Sequence, residues 1–549
     1  MLAMVSLATG LVVGSLSEPA SVSVGRDFGH AWEHADMRAM YALLTPAAQA
    51  RISRSGFMAA YRRDGATATQ AAVRVLRVRR RGDGAALSVA VRTRAFGIVR
   101  GVVELPVNEG KVDWRQWMTF PGLRRGAVLS RQTSAPQRAS ILARDGRVIA
   151  TGPATARSQP AGPAAASIAG GLGQPQTEMQ RAALKARGFP AETPVGTSGL
   201  ERIAEDRLAG TPGGLLFAGG RVLASSKPRP ARAVRTTIDL KIQEAAVSAL
   251  AGRYGGVAAL DARTAQIRAL AGIAFSGPQP PGSTFKIVTA TAALDAGLVR
   301  ASTPFPVQTK AVIDGVELEN ANGESCGGTF AQSFAHSCNS VFAPLGVRVG
   351  AKQLVAAAER YGWNEKPMLP GALPSTIPRA EEISFPLAVG STAIGQGKVL
   401  ATPLQMASVA QAISAGGVRT LPTIFAGEPR RRMRVTSRAV ANKLEQLMIG
   451  VVAYGTGTSA SLTPVKVAGK TGTAELTTTV KKDGEAQPLE QGVDAKPPGY
   501  DTDAWFTAYT PVRRPKIAAC VLIVHGGAGG STAAPAARGV LQAGLGAKS

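Results

Sequence analysis

From Arg235 onward the apolar residues change period twice, and this limits the folds open to the chain more than any other feature. Residues 256–261 and 266–270 alternate as two strands around Ala262-Arg263-Thr264, which reads as a hairpin. A helix over 237–251, with Asp239 near its start, precedes them. Helical spacing then dominates to about Val452, including an apolar helix over 283–296 that ends at Gly297. Strand-like runs return at 465–475, 505–509 and 517–524. Strands on both sides of a long helical block predict a sheet with a helical subdomain inserted. The polar, Gly- and Pro-rich stretch 477–503 reads as a surface loop.

The first half divides by the same criterion. Phe28, Trp32, Met37, Met40, Tyr41 and Leu44 lie near helical spacing, so one helix is expected over 28–44. Pro46 opens a second helix, and 57–61 belongs to a third element. From Ala72 the period becomes two, with strands expected at 73–75, 85–93, 98–103 and 112–118. Helices followed by strands make a small α+β domain. Residues 140–150 read as a hairpin turned at Asp145-Gly146. The Ala-, Gly- and Pro-rich stretch 151–173 reads as a linker with a helical piece at 164–168, and 220–224 as a strand of a second, irregular domain. A length of 549 residues corresponds to roughly three to four domains.

Residues 1–16 carry no charge. They are short for a spanning helix, which needs about 20 residues. They fit a signal-peptide core better, although the basic residues that normally precede one are missing. The alternative is a buried helix.

The formal charge of +27 first suggests a nucleic-acid binder. Aromatic residues are only 5%, too few for base-stacking platforms. His30, His34, His336 and His525 and the three cysteines show no zinc-finger spacing, so neither nucleic acid nor a metal or cofactor is expected. Basic knots at 79–81 and 430–434 read as solvated faces. The charge equally suits an anionic membrane or wall. Cys520, in an apolar run, reads as a buried small hydrophobe. Cys326 and Cys338 lie 12 residues apart, and can pair as a disulfide only outside the cytoplasm.

Three short motifs carry candidate chemistry. Pro281-Gly282 precedes Ser283-Thr284-Phe285-Lys286, which puts Ser283 at or near a helix N-terminus and places Ser283 and Lys286 on one face. A serine hydroxyl is a weak nucleophile, and a lysine with a pKa lowered by burial can take its proton. The second motif, Ser337-Cys338-Asn339, sets a hydroxyl and a carboxamide two residues apart. On a loop both can face a cleft; the plainer reading is a helix cap. The third is Lys470-Thr471-Gly472-Thr473. A phosphate-binding loop fails here, because Pro464 stands where its first Gly belongs and a strand follows. On a sheet edge, Lys470 supplies a positive field, Gly472 lets a substrate backbone approach, and the hydroxyls of Thr471 and Thr473 bind a carboxylate.

The order Ser-x-x-Lys, Ser-x-Asn, Lys-Thr-Gly is the signature of penicillin-binding proteins and serine β-lactamases. Each occurs once, with 54 residues from Ser283 to Ser337 and 133 from Ser337 to Lys470. The chain resembles class B penicillin-binding proteins, the peptidoglycan transpeptidases. Gly282–Lys286, Gly395-Gln396-Gly397 with Thr402-Pro403-Leu404-Gln405, 468–475, Ala504-Trp505-Phe506 and Thr236-Thr237-Ile238-Asp239 are similar to that family's landmarks. The resemblance implies an α+β multidomain chain with a β-lactamase/transpeptidase-like fold, a five-stranded antiparallel sheet flanked by helices plus a helical subdomain. It implies an apolar anchor or signal at 1–20, a nuclear-transport-factor-like domain at 23–126 as in resistance-type members, a dimerisation or pedestal domain at 127–232 and a transpeptidase domain at 233–549.

The same resemblance assigns roles. Ser283 attacks the carbonyl between two terminal D-alanines, with Lys286 as base. Ser337 relays a proton, Asn339 holds the substrate amide and Lys470 supports Ser337. Thr471 and Thr473 bind the terminal carboxylate beside Gly472, and the backbone N–H groups of Ser283 and Thr473 form the oxyanion hole. Expected partners are stem peptides, β-lactams as inhibitors, a membrane-embedded glycan polymerase and the bacterial membrane, with the catalytic domains on its extracytoplasmic face. Cys338 departs from the pattern in the second motif, where a Cys326–Cys338 disulfide would fix the loop. The short segment 274–280 implies an open groove. The competing readings are a β-lactamase or D-alanyl-D-alanine carboxypeptidase, and a non-catalytic β-lactam sensor or wall-assembly scaffold.

Overall fold

The computed structural model describes residues 19–475, 479–482, 485–488 and 502–546. The apolar segment 1–16 lies outside the described residues. The chain forms two compact units. One holds the N-terminal residues to Ala139 with Gly173–Val195 and Ala209–Arg232; the other holds Ser140–Leu172, Gly196–Leu208 and the chain from Ala233. Residues 127–232, expected as one pedestal domain, therefore contribute to both units.

In the first unit four helices, Ala20–Glu33, Met37–Ala42, Pro46–Arg51 and Arg54–Thr67, precede a three-stranded antiparallel sheet of Gln70–Arg81, Gly84–Thr93 and Ile98–Leu105. The single helix expected over 28–44 is two. Ala35 takes a left-handed backbone (φ 55°), and the Asp36 carboxylate restarts the helix by accepting from the N–H groups of Arg38 and Ala39. Apolar spacing alone does not see that break, because Trp32 and Met40 still face one core. That core joins Phe28, Trp32, Phe57 and Tyr61 to Leu87, Val89, Val91, Trp114 and Phe120. Each such buried side chain contributes about 1.5–3 kcal/mol relative to exposure. The strand expected over 112–118 is also replaced. Only Lys111–Val112 pairs, and Gln116–Thr119 coils as a 3-10 turn closed by the Met118 N–H donating to Arg115 O. Its alternating Trp114 and Met118 bury from that turn instead. A second three-stranded sheet joins Leu129–Ser134, Gly213–Ala218 and Arg221–Ser226.

The second unit is built on one sheet of five strands: β1 (Gly255–Asp261), β2 (Ile267–Gly272), β3 (Ala468–Glu475), β4 (Thr502–Thr510) and β5 (Ile517–Ile523). Every pairing is antiparallel and the order is β2-β1-β5-β4-β3, so β3 is an edge. All of β5 is buried, because helices cover both faces. Leu240–Leu250 and Ala533–Gly546 cover one; Pro403–Ser414 lies on the other. Alanines at 258, 259, 269, 271, 508, 518 and 519 let these helices sit close. The helical block expected between strands occupies the chain between β2 and β3.

Several boundaries shift for local reasons. The helix expected over 237–251 begins at Leu240, since the Asp239 carboxylate accepts from the Lys241 and Ile242 N–H groups and ends the extended entry. Thr236 and Thr237 use their hydroxyls on Leu142 O and Ile267 O instead of starting a helix. The hairpin at Asp145-Gly146 forms as read, with Ile141–Leu142 against Val148–Ala150, and 163–169 is helical. Of the expected loop 477–503, Thr479–Lys482 pairs with Glu485–Pro488, and residues 502–503 begin β4; the remainder lies outside the described residues. Among the described residues no single helix is long and apolar enough to cross a membrane.

Candidate active site

Three segments converge at the β3 edge. Gly282–Phe285 is a 3-10 turn that passes into the helix Lys286–Asp295, so the helix expected over 283–296 opens more tightly than read. The turn is pinned by Phe285, fully buried edge-on against Trp363 at 5.3 Å, and by the Thr284 hydroxyl donating to Pro281 O at 2.7 Å. Gly282 has φ +51°, and a Cβ there would stand 2.7 Å from Thr473 O. The turn can approach β3 only because that side chain is missing.

Ser283 is half-buried, and among the described residues nothing holds its hydroxyl by a hydrogen bond. Lys286, one turn on, is fully buried. Its Nζ lies 2.6 Å from Ser337 O, 2.6 Å from Asn339 Oδ1 and 3.3 Å from Ser337 Oγ. Burial, and then the charge of Lys470, hold its pKa well below the ordinary lysine value. Lys470, fully buried on β3, donates to Ser337 Oγ at 2.8 Å and to Thr471 O at 3.1 Å, and burial lowers its pKa to about 7. A neutral lysine has two N–H donors and one lone pair. Lys286 can therefore donate to Ser337 O and Asn339 Oδ1 and still keep one lone pair to accept a proton. The ammonium of Lys470 then donates to the Ser337 hydroxyl. The result is a hydrogen-bonded path from Lys470 through Ser337 to Lys286.

Ser337 follows the helix Phe330–Ala335 with a left-handed backbone, φ 63°. For a serine that conformation costs on the order of 1 kcal/mol, and the surrounding structure must impose it. Its neighbour Cys338 is bridged to Cys326 by a disulfide, with Cα atoms 5.4 Å apart. Asn339 opens the helix Asn339–Val349, and its Nδ2 donates to Glu319 O at 2.7 Å. The helix-cap reading of this motif fails: Cys338 holds the cap position and no side chain caps the helix.

The third motif lies on β3 as expected, but its residues divide. Thr471 is buried and shares a 2.5 Å hydrogen bond with the hydroxyl of Thr456. Thr473 is half-buried; its hydroxyl accepts from the Gly529 N–H at 3.2 Å, which leaves its own proton to donate. Gly472 has a structural cause besides the one read from sequence. A Cβ there would lie 2.9 Å from Pro281 O and 3.0 Å from the Cβ of Trp505, so the residue lets the Ser283 turn and β4 close on β3. At the end of β3 the Gln396 carboxamide, its orientation assigned from its hydrogen bonds, donates to Glu475 O and accepts from Glu475 N. It takes up the edge there and leaves the backbone around Thr473 as the unpaired stretch.

Sequence reasoning did not find Thr456, Glu319 or Gly529. Each acts through backbone geometry or one distant contact, and none carries a local pattern. Gln396 stood inside the Gly395-Gln396-Gly397 landmark without a role. Cys520 is buried as read, and burial pushes its thiol pKa up.

The family described as the penicillin-binding protein transpeptidase domain matches residues 255–542, more than half of the chain. The penicillin-binding protein dimerisation domain matches 148–218. The peptidoglycan D,D-transpeptidase PbpA of Mycobacterium tuberculosis is 34% identical over 308 residues, 50% of this chain and 56% of the relative. The D,D-transpeptidase MrdA of Acinetobacter baumannii is 26% identical over 403 residues, 62% of this chain and 59% of the relative. The chain thus spans about half the length of the curated relatives it matches. The solved penicillin G acyl-enzyme of M. tuberculosis penicillin-binding protein A is similar with a TM-score of 0.58 at 27% identity, covering 74% of this chain and 99% of that one.

Proposed function

Because the chain belongs to the penicillin-binding protein transpeptidase family, we propose that it is a serine D,D-transpeptidase that cross-links peptidoglycan stem peptides through an acyl-enzyme on Ser283. The observation that carries this reading is that Lys286, a single turn from Ser283, bonds both Ser337 and Asn339, while Lys470 donates to the same Ser337.

The chemistry follows from the protonation states. The neutral amine of Lys286 takes the Ser283 proton as Oγ attacks the carbonyl carbon between two terminal D-alanines. The backbone N–H groups of Ser283 and Thr473 stabilise the oxyanion. As the C–N bond breaks, the departing D-alanine amine receives a proton through Ser337, which Lys470 supports. Thr473, with a free hydroxyl proton, binds the terminal carboxylate; Thr471 holds β3 through Thr456. The amine of a neighbouring stem peptide then attacks the ester, forms the cross-link and releases Ser283. A β-lactam opens on Ser283 in the same way and stays attached.

A domain like nuclear transport factor at 23–126 is supported by four helices followed by a three-stranded antiparallel sheet, and a pedestal at 127–232 by the match at 148–218. The disulfide supports an extracytoplasmic site. Residues 1–16 as anchor or signal would place it at the membrane, beside a glycan polymerase.

A fluorescent penicillin should label the protein, and Ser283→Ala should abolish labelling. Labelling that survives the substitution overturns the nucleophile. With a stem peptide and an acceptor amine, a cross-linked product is expected. Free acid alone would mean a carboxypeptidase, rapid penicillin turnover a β-lactamase, and no product with either a sensor or scaffold.

A further inference from the structure

The first unit holds a cavity of about 660 Å³ that the proposed reaction does not use. It lies among the helices Ala20–Glu33, Met37–Ala42 and Arg54–Thr67. Trp32, Met58 and Tyr61 give it an apolar wall. The Trp32 and Tyr61 rings meet edge to face at 5.5 Å, and the Tyr61 hydroxyl is engaged by Trp114 Nε1 at 3.3 Å. Gly65 and Ala66, further along the helix that carries Met58 and Tyr61, complete the lining with small side chains.

Its charge is one-sided. Arg38, Arg62 and Arg94 all line it, and among the described residues none of the three guanidiniums has an ion-pair or hydrogen-bond partner. The one carboxylate of the lining, Asp36, accepts from two backbone N–H groups as a helix cap. Arg94 is held in place from its backbone, which donates to Thr69 O at 2.9 Å. A volume in the range of small-molecule sites, an aromatic wall and three unpaired guanidiniums in the lining together define a ligand class.

We propose that this cavity binds an anionic amphiphile: a phosphate or carboxylate head against Arg38, Arg62 and Arg94, and an apolar portion on Trp32, Met58 and Tyr61. Charge-assisted bonds to guanidinium select the head, and desolvation of the aromatic wall favours the tail.

The full chain is titrated with octyl phosphate, octanol and inorganic phosphate by calorimetry. Octyl phosphate should bind once, and at least about tenfold tighter than either fragment. Arg62→Ala and Arg94→Ala should each weaken it about tenfold at an unchanged melting temperature, and Arg94→Glu should remove it. Met58→Trp, which fills the wall, gives a charge-neutral second route to the same loss. Ser283→Ala should bind octyl phosphate as well as the parent; loss there would assign the ligand to the catalytic cleft and overturn the proposal. Equal affinity for octanol, or full affinity in the folded arginine variants, also overturns it. Displacement of octyl phosphate by phosphatidylglycerol vesicles identifies a membrane lipid as the source; its absence identifies a soluble amphiphile, and either supports the site.

Discussion

Two lysine side chains buried around one serine hydroxyl cannot both hold a proton at low cost, and the order in which they lose it sets the chemistry. Lys286 must be neutral to accept the Ser283 proton. As an ammonium, Lys470 gives Ser337 a stronger, charge-assisted bond at 2.8 Å and has no lone pair to compete for the hydroxyl proton. Lys286 is driven well below the ordinary lysine pKa and Lys470 to about 7. Acylation by penicillin should therefore rise with pH as Lys286 deprotonates, then fall near pH 7 as Lys470 does. Stopped-flow acylation from acid pH to about 10 checks this; a rate still climbing at the ordinary lysine pKa of about 10.4 would contradict it. Stability carries the same signature with its own sign. Between about 7 and the ordinary value the unfolded chain holds the Lys470 proton and the folded chain does not, so stability should increase with pH across that window. Ser337 separates strain from chemistry. Ser337→Gly and Ser337→Ala both lose the hydroxyl, and both should lower acylation by about 10²-fold or more. Only glycine accepts φ 63° freely, so Ser337→Gly should be more stable than Ser337→Ala by about 1 kcal/mol in urea unfolding.

At the scale of elements, the site depends on how closely β3 and the Ser283 turn approach. Gly472→Ala places a methyl 2.9 Å from Pro281 O, and a backbone atom must give way. Overpacking of this kind costs about 1–3 kcal/mol. The melting temperature should fall and acylation should fall with it, because the displaced pieces are the proposed nucleophile and carboxylate site. A variant that melts lower but acylates at the parental rate would show that the approach serves packing alone. The disulfide closes a short loop over Ser337, and by loop entropy its removal in Cys326→Ala should cost about 3 kcal/mol of stability; equal denaturation midpoints for variant and parent would refute that. These elements also show what the sequence made legible. The central strands were readable because helices cover both faces, so that 517–523 is an unbroken apolar run. Ser283, Lys286 and Lys470 were readable because their chemistry needs those residue types at short spacing. The break at Ala35-Asp36 and the 3-10 turn over 282–285 were not, since a left-handed residue and a tightened first turn leave apolar spacing almost unchanged. Thr456 and Gly529 were invisible because their partners lie 15 and 56 residues away on other segments.

For the whole molecule, the formal charge of +27 acquires a location. Residues 19–139 hold 20 arginines and lysines against 8 aspartates and glutamates, while the two lysines with proposed catalytic roles lie far along the chain and are buried. Half of that surplus is carried on one sheet. Arg74, Arg79, Arg92 and Arg100 are all exposed there; across β-pairs, Arg74 and Arg100 both face Ala90. Small side chains between the arginines leave the basic face open, and its field adds over several charges. Such a face should hold the protein to an anionic surface through exposed pairs, which salt screens over about 8 Å at physiological ionic strength. Cosedimentation with vesicles of phosphatidylglycerol should therefore be strong at low salt and lost near 0.5 M salt, roughly where the screening length falls below the spacing of side chains on neighbouring strands. Substituting Arg74, Arg79, Arg92 and Arg100 together by Ser should remove most of the binding without changing penicillin acylation by the second unit. Retention of the quadruple variant on vesicles would place the attachment elsewhere and leave the charge of this sheet without that role. Salt-insensitive binding by the parent would instead point to buried apolar area as the attachment, since screening acts on exposed charge and leaves apolar burial intact.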